Sequence, residues 1–199
     1  MFKQKLTVSI FLFLVSLPAY AGDSIWKQSH SLEKQGEYER AAAAIEPAVS
    51  ANDEYALLRY AYLKYKQGEY NDSIKYYEKA MRLNPKSIDA KLGMTLPYAA
   101  QGRWRQVALR SSQVLLKADG NFTAHERLMM SEDNEKKWYV LGRHSKEMTT
   151  IYPADAGTLV YLARSNARKG NTPVAVSTYK KVLKRDPENA EASEYLENN

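Results

Sequence analysis

Three histidines, His30, His125 and His144, are the only imidazoles of this 199-residue chain, and it has no cysteine. Thiolate chemistry and a disulfide framework are therefore excluded. A helical zinc-protease site needs a second histidine four residues from the first, and His125-Glu126 has none there. His144 stands beside Arg143 and close to Lys146, a cationic neighbourhood that disfavours a metal ion. Neither a glycine-rich phosphate loop nor a nucleophile elbow is present. Acids in close spacing, such as Glu37 and Glu39, read as surface residues of a turn and a helix start. The reactive inventory points to no catalytic residue, no metal site and no cofactor.

Side chains suited to contact are more plentiful. The chain has 15 tyrosines against four phenylalanines, and three of those phenylalanines (Phe2, Phe11, Phe13) precede Pro18. Rings with a polar tip suit a wet interface, buried at one end and hydrated at the hydroxyl. Tyr55, Tyr62 and Tyr65 are seven and three residues apart and share one side of a helix. Two readings follow. The row lines a recognition groove, or it fills space between neighbouring helices.

The elements that must position these residues announce themselves by a period. The interval from Gly68 to Gly102 equals that from Pro153 to Pro187, and Pro85 precedes Pro153 by twice as much. Gly68 precedes Pro85, and Gly170 precedes Pro187, by half of it. A self-similarity of about 34 residues means a stack of helical hairpins, in which one unit cannot bury its apolar face alone. Residues 53–85 resemble a tetratricopeptide repeat. Leu57 takes the large apolar place of the first helix and Ala61 the small one; Gly68 makes the turn and Tyr70 opens the second helix. Tyr77, Ala80 and Pro85 occupy the remaining signature positions, while Ser73 stands where alanine is usual. Residues 156–187 fit nearly as well through Ala163, Gly170, Ala175, Tyr179 and Pro187, with Thr172 as N-cap and Pro173 at the first helical position.

The other units drift. Residues 88–119 keep Tyr98, Gly102 and Trp104, and Pro97 inside the first helix predicts a kink. The next unit has Lys136 at the glycine position. Its helices are expected at residues 121–131 and 136–151, joined by Glu132-Asp133-Asn134-Glu135. In the first unit Gly36 precedes Gly68 by slightly less than one period, and Pro47 interrupts the second helix. A short polar helix over residues 189–198 closes the stack. The resemblance implies an all-α fold, a right-handed superhelical stack of about five helical hairpins plus a C-terminal capping helix, occupying residues 22–199.

Residues 1–21 stand apart. Two lysines precede an apolar run from Leu6 to Leu17, Pro18 breaks it, and Ala19-Tyr20-Ala21 offers small residues for cleavage. This pattern is that of a secretory signal peptide removed after Ala21, since about 12 apolar residues fall short of the roughly 20 that span a bilayer. Export to the periplasm or cell exterior is expected, with no stable membrane insertion after cleavage. Net charge falls from +6 for the whole chain to +4 once Lys3 and Lys5 are lost. The basic residues interleave with acids, and export argues against nucleic acid as the partner. In a bacterial exported protein the glycosylation sequons at Asn71 and Asn121 carry no weight.

In tetratricopeptide stacks the first helices line a concave groove. Carried onto this sequence, the resemblance places Trp26, His30, Tyr55, Leu58, Tyr62, Tyr65, Lys66, Leu92, Leu96, Arg164 and Arg168 there. Arg164 and Arg168 have the fork geometry to grip a carboxylate, but the asparagines of a chaperone-type clamp are missing. The sequence thus reads as a non-enzymatic scaffold of the cell envelope that binds a peptide or helix of a partner protein. A homo-oligomeric scaffold is the first alternative. A module holding envelope polysaccharide or peptidoglycan through Trp104, Trp138 and the tyrosines is the second.

Overall fold

A computed structural model describes residues 21–199. The signal-like segment, residues 1–21, lies outside the described residues except for Ala21, where the first helix begins. The described chain forms five hairpins and a final single helix. They are α1 (Ala21–Lys34) with α2 (Tyr38–Ala43) and α3 (Glu46–Ser50); α4 (Glu54–Lys66) with α5 (Tyr70–Leu83); and α6 (Ile88–Ala100) with α7 (Trp104–Leu115). Then follow α8 (Phe122–Asn134) with α9 (Trp138–Ile151), α10 (Ala156–Arg168) with α11 (Thr172–Leu183), and α12 (Ala190–Glu197). Helices α4, α6, α8 and α10 touch in succession and form the inner layer, while each outer helix packs against the inner helix that follows it. This is the expected all-α stack.

Local chemistry fixes where each inner helix begins. Asp53, Ser87, Asn121, Asp155 and Asn189 are N-caps whose side chains accept from the backbone N–H three residues on, at 2.7, 3.2, 2.9, 2.6 and 3.0 Å. The caps recur once per period, and each contributes about 1 kcal/mol by satisfying a donor the helix leaves open. Residues 56, 90, 124, 158 and 192, which donate to the caps, are Ala, Ala, Ala, Thr and Ala. All are buried at the helix crossings, where small side chains let the axes approach.

The hairpin turns are equally uniform. Gly36, Gly68, Gly102 and Gly170 take φ of 78°, 81°, 68° and 77°, and Lys136 takes the same left-handed conformation at 57°. After each turn residue the next N–H bonds back to a carbonyl five residues earlier, as in Lys137 to Glu132 at 2.8 Å. This is the Schellman closure that satisfies the last carbonyls of a helix. Without glycine, the fourth unit keeps the turn through a strained lysine.

Several boundaries differ from the sequence reading. Glu132, Asp133 and Asn134 form the last turn of α8, because the left-handed residue that ends it comes only at Lys136. The N-cap of α11 is Asn171, which puts Thr172 and Pro173 in its first turn. Helix α6 runs on through Pro97 as one element. The interruption expected at Pro47 is present: the outer helix of the first hairpin breaks at Ala44 and Ile45 and restarts with Pro47 in the first turn of α3.

Packing joins the hairpins through a chain of clusters. Ala61, Ile74, Tyr77, Met94, Tyr98 and Val107 weld the second unit to the third. Here Gly93 is indispensable, since a β-carbon would sit 2.4 Å from the Tyr77 ring. Buried hydroxyls reinforce the stacking. Ser131 donates to the Trp104 carbonyl at 2.9 Å, and Ser165, its equivalent in the next unit, donates to that of Trp138 at 3.1 Å. Among the described residues no helix is long and apolar enough to cross a membrane.

Candidate functional site

The predicted groove residues fall into three groups along the stack, one at each end and one in the middle. At the first end, α1 and α4 bring Trp26 and Tyr55 to a ring separation of 5.2 Å, and His30 Nε2 to within 3.3 Å of the Tyr55 hydroxyl. Tyr55 remains 52% exposed. One turn further on, His30, Glu33, Lys34, Tyr38, Tyr62 and Lys66 line a concavity of about 310 Å³. Tyr62 and Tyr65 lie 6.3 Å apart and Tyr65 and Tyr70 6.0 Å apart, so the aromatic row continues over the turn to α5. The tyrosine faces are partly open: Tyr62 and Tyr65 are half-buried, whereas Tyr60 and Tyr77, on the other faces of their helices, are core.

Charge in this concavity is one-sided. The carboxylate of Glu33 is held by Arg59, whose Nη1 donates at 2.8 Å while its Nε donates to Ser29 at 3.0 Å. Arg59 is only 7% exposed, so this pair is structural. Lys34, Lys66 and His30 are exposed. The Lys66 ammonium stands 5.1 Å from the Tyr38 ring centroid, and the Tyr38 hydroxyl raises its pKa above the usual lysine value. With its acid neutralised, the pocket presents aromatic walls and cations, the pattern that receives a carboxylate or an acidic side chain.

The middle of the inner layer is aliphatic. Leu92 and Leu96 are partly exposed on α6, one turn apart. Leu58 is half-buried and packs against two core clusters, so much of its surface serves stability.

At the far end the sequence reading needs adjustment. Arg164 grips two carboxylates of its own chain, donating through Nη1 to Asp133 on α8 and through Nη2 and Nε to Glu191 on α12, the last at 3.0 Å. Tyr179 donates to Glu191 at 2.7 Å. Burial drives the Glu191 carboxyl up, but these hydrogen bonds outweigh it and hold the group below the usual range. Asp133 goes the other way, raised by burial against the pull of Arg164. Arg164 therefore ties α8, α10 and α12 together. Arg168 stays exposed, its guanidinium 5.8 Å from the Trp138 ring centroid, between concavities of about 490 and 570 Å³.

Trp104 and Trp138 are half-buried, packed against core clusters on one side, and each also lines a surface concavity. Among the described residues no group of three or more His, Cys, Asp or Glu side chains is arranged to hold a metal. Two features escaped the sequence reading. Arg59 is buried on α4 among apolar neighbours, and its place in that pattern was its only signal. His125 and His144, 19 residues apart, meet between α8 and α9 with Nδ1 and Nε2 at 2.9 Å, and no short-range spacing could reveal that contact.

A stack of paired helices with this period, cap and turn defines a class, the tetratricopeptide-type solenoid. The tetratricopeptide repeat family model matches residues 27–88 and 162–196. MamA from Desulfovibrio magneticus RS-1 superposes with a TM-score of 0.75 at 15% identity, covering 87% of this chain and 99% of that one. A tetratricopeptide repeat protein from Parabacteroides merdae gives 0.78 at 11% identity, with 88% and 71% covered. YrrB, described as a tetratricopeptide repeat protein with an unusual peptide-binding site, gives 0.66 at 17% identity, with 78% and 81% covered. At these identities the likeness is one of fold. No curated protein sequence matches the chain significantly.

Proposed function

We propose that this protein is a non-enzymatic adaptor of the bacterial cell envelope that captures an acidic peptide segment, or an acidic helix, of a partner protein. The observation that carries the reading is the concavity of His30, Lys34, Tyr38, Tyr62 and Lys66, where the one carboxylate, Glu33, is already neutralised by Arg59. Aromatic rows at Trp26, Tyr55, Tyr62 and Tyr65 extend it, and Leu92 and Leu96 supply an apolar continuation along the inner layer. The fold and the peptide-binding description of one fold relative support protein as the partner class. Location in the periplasm or outside the cell rests on the N-terminal signal-like sequence alone.

Binding is tested with a library of acidic and basic peptides against the purified protein, read by fluorescence anisotropy. Acidic peptides bind, and Tyr62→Ala with Lys66→Ala weakens them by about 1–3 kcal/mol, in the range of interface anchors. Unchanged helicity in that variant separates lost contact from lost folding. Equal binding of basic peptides, or no effect of the double variant, sinks the reading. A mass that doubles with concentration and falls in the same variant would assign the concavity to a second copy of the chain.

A further inference from the structure

Helices α8 and α9 pack more sparsely against each other than do α4 and α5, α6 and α7, or α10 and α11. Dense packing runs from α4 to α8 and resumes from α9 to α11, so the fourth hairpin carries a seam within itself. Its core is small, formed by Met129, Leu141 and Met148, two of them flexible side chains. Across the seam runs a polar chain. His125 Nε2 lies 2.7 Å from the Asp119 carbonyl oxygen, His125 Nδ1 lies 2.9 Å from His144 Nε2, and His144 Nδ1 lies 3.1 and 3.2 Å from the two Glu132 oxygens.

Counting protons decides what this chain holds. Both of its ends, a carbonyl and a carboxylate, only accept, so each of the three links needs an N–H from an imidazole. Two neutral imidazoles carry two N–H groups between them, one too few. Every neutral arrangement therefore sets two lone pairs against each other at one link or more. Two imidazolium rings carry four, which sets two N–H groups head to head between His125 and His144. A single additional proton satisfies all three links, with hydrogens on His125 Nε2 and His144 Nδ1 and the third between the rings, on either His125 Nδ1 or His144 Nε2. We propose that His125, His144 and Glu132 form a binding site for one proton, and that this proton closes the seam between α8 and α9.

Other charges around the seam are engaged elsewhere or face solvent. Asp133 of α8 pairs with Arg164 of α10, and Glu135 with Lys137 and with Arg105 of α7. On α7, Arg110 donates to Gln113, and on α10, the amine of the following Lys169 lies over the Gly142 backbone. Arg143, Lys146 and Glu147 of α9 are exposed, and Glu126 and Arg127 of α8 are partly so, beside Tyr161. Glu132 is thus the one carboxylate within ion-pairing distance of either imidazole among the described residues. Relative to a seam with both rings neutral, one that holds the proton is favoured as pH falls and loses that advantage as pH rises.

Glu132→Gln provides the test, because its amide donates to His144 Nδ1 and completes the chain with both rings neutral. Urea unfolding is followed from pH 6 to pH 8. The wild-type unfolding constant should rise relative to that of the variant over this range, by up to about tenfold per pH unit for one retained proton. Parallel profiles overturn the proposal. Long-range proton–nitrogen NMR of the wild type reads the same site independently of whether the variant folds. In the folded wild type at pH 6 the two rings together should show three protonated nitrogens, His125 Nε2 and His144 Nδ1 among them. Only two protonated ring nitrogens at that pH would overturn the proposal.

Discussion

The left-handed Lys136 makes a quantitative prediction of unusual sign. Four of the five hairpin turns put glycine in this conformation, and the fifth puts lysine there at φ 57°. A residue with a β-carbon is destabilised by about 1–2 kcal/mol in that region, through contact with the following carbonyl. Glycine removes that strain but loses roughly 0.5–1 kcal/mol through the larger freedom of its unfolded chain. Among the described residues the exposed Lys136 side chain makes no ion pair or hydrogen bond, and its backbone N–H would still donate to Asp133. Lys136→Gly should therefore stabilise the protein by about 0.5–1 kcal/mol. For a domain of this size that is about 1–4 °C in Tm. Urea titration monitored by circular dichroism measures it, with an unchanged slope showing that the unfolded state is the same. The reciprocal Gly170→Lys, at φ 77°, should lose about as much. If Lys136→Gly is neutral or destabilising at equal slope, the turn is not strained, and the reasoning from its backbone fails.

Packing and charge supply three further expectations. Gly93→Ala drives a β-carbon to 2.4 Å from the buried Tyr77 ring, which cannot yield freely, and should cost about 1–3 kcal/mol in chemical denaturation. Arg164→Met leaves Asp133 and Glu191 without their shared cation. A buried pair broken in this way costs about 3–5 kcal/mol, which solvent at the partly exposed Arg164 reduces to about 2 kcal/mol at pH 7. Because Glu191 is held below the usual carboxylate range, its contribution is present above about pH 4.5 and disappears as pH falls. The gap between wild type and Arg164→Met should narrow in acid, and a gap constant between pH 7 and pH 3 would refute the assignment.

How much of this was legible in the sequence depended on whether a signal was local. The period, the glycine turns, Pro47 and the terminal helix all act within a few residues of their cause, and the architecture followed from them. The polar run Glu132–Asn134 looked like a loop by composition, yet it is helical because the turn residue four positions after Glu132 sets the end. The candidate groove was readable at Tyr55, Tyr62 and Lys66, since one helix face orders them. It was not readable at Arg164, whose two carboxylates come from residues 31 positions before and 27 after. The contact of His125 with His144 is of the same kind, made by two helices whose facing sides no spacing rule specifies.

The five caps at Asp53, Ser87, Asn121, Asp155 and Asn189 also explain a disparity. Solved stacks match this one with TM-scores of 0.66 to 0.78 at identities of 11 to 17%. A fold whose phase is set by one short polar residue and one left-handed residue per unit leaves most intervening positions free. They can change identity without disturbing where any helix starts or stops. The caps act as punctuation, and the text between them can be rewritten for a new partner while the grammar stays intact.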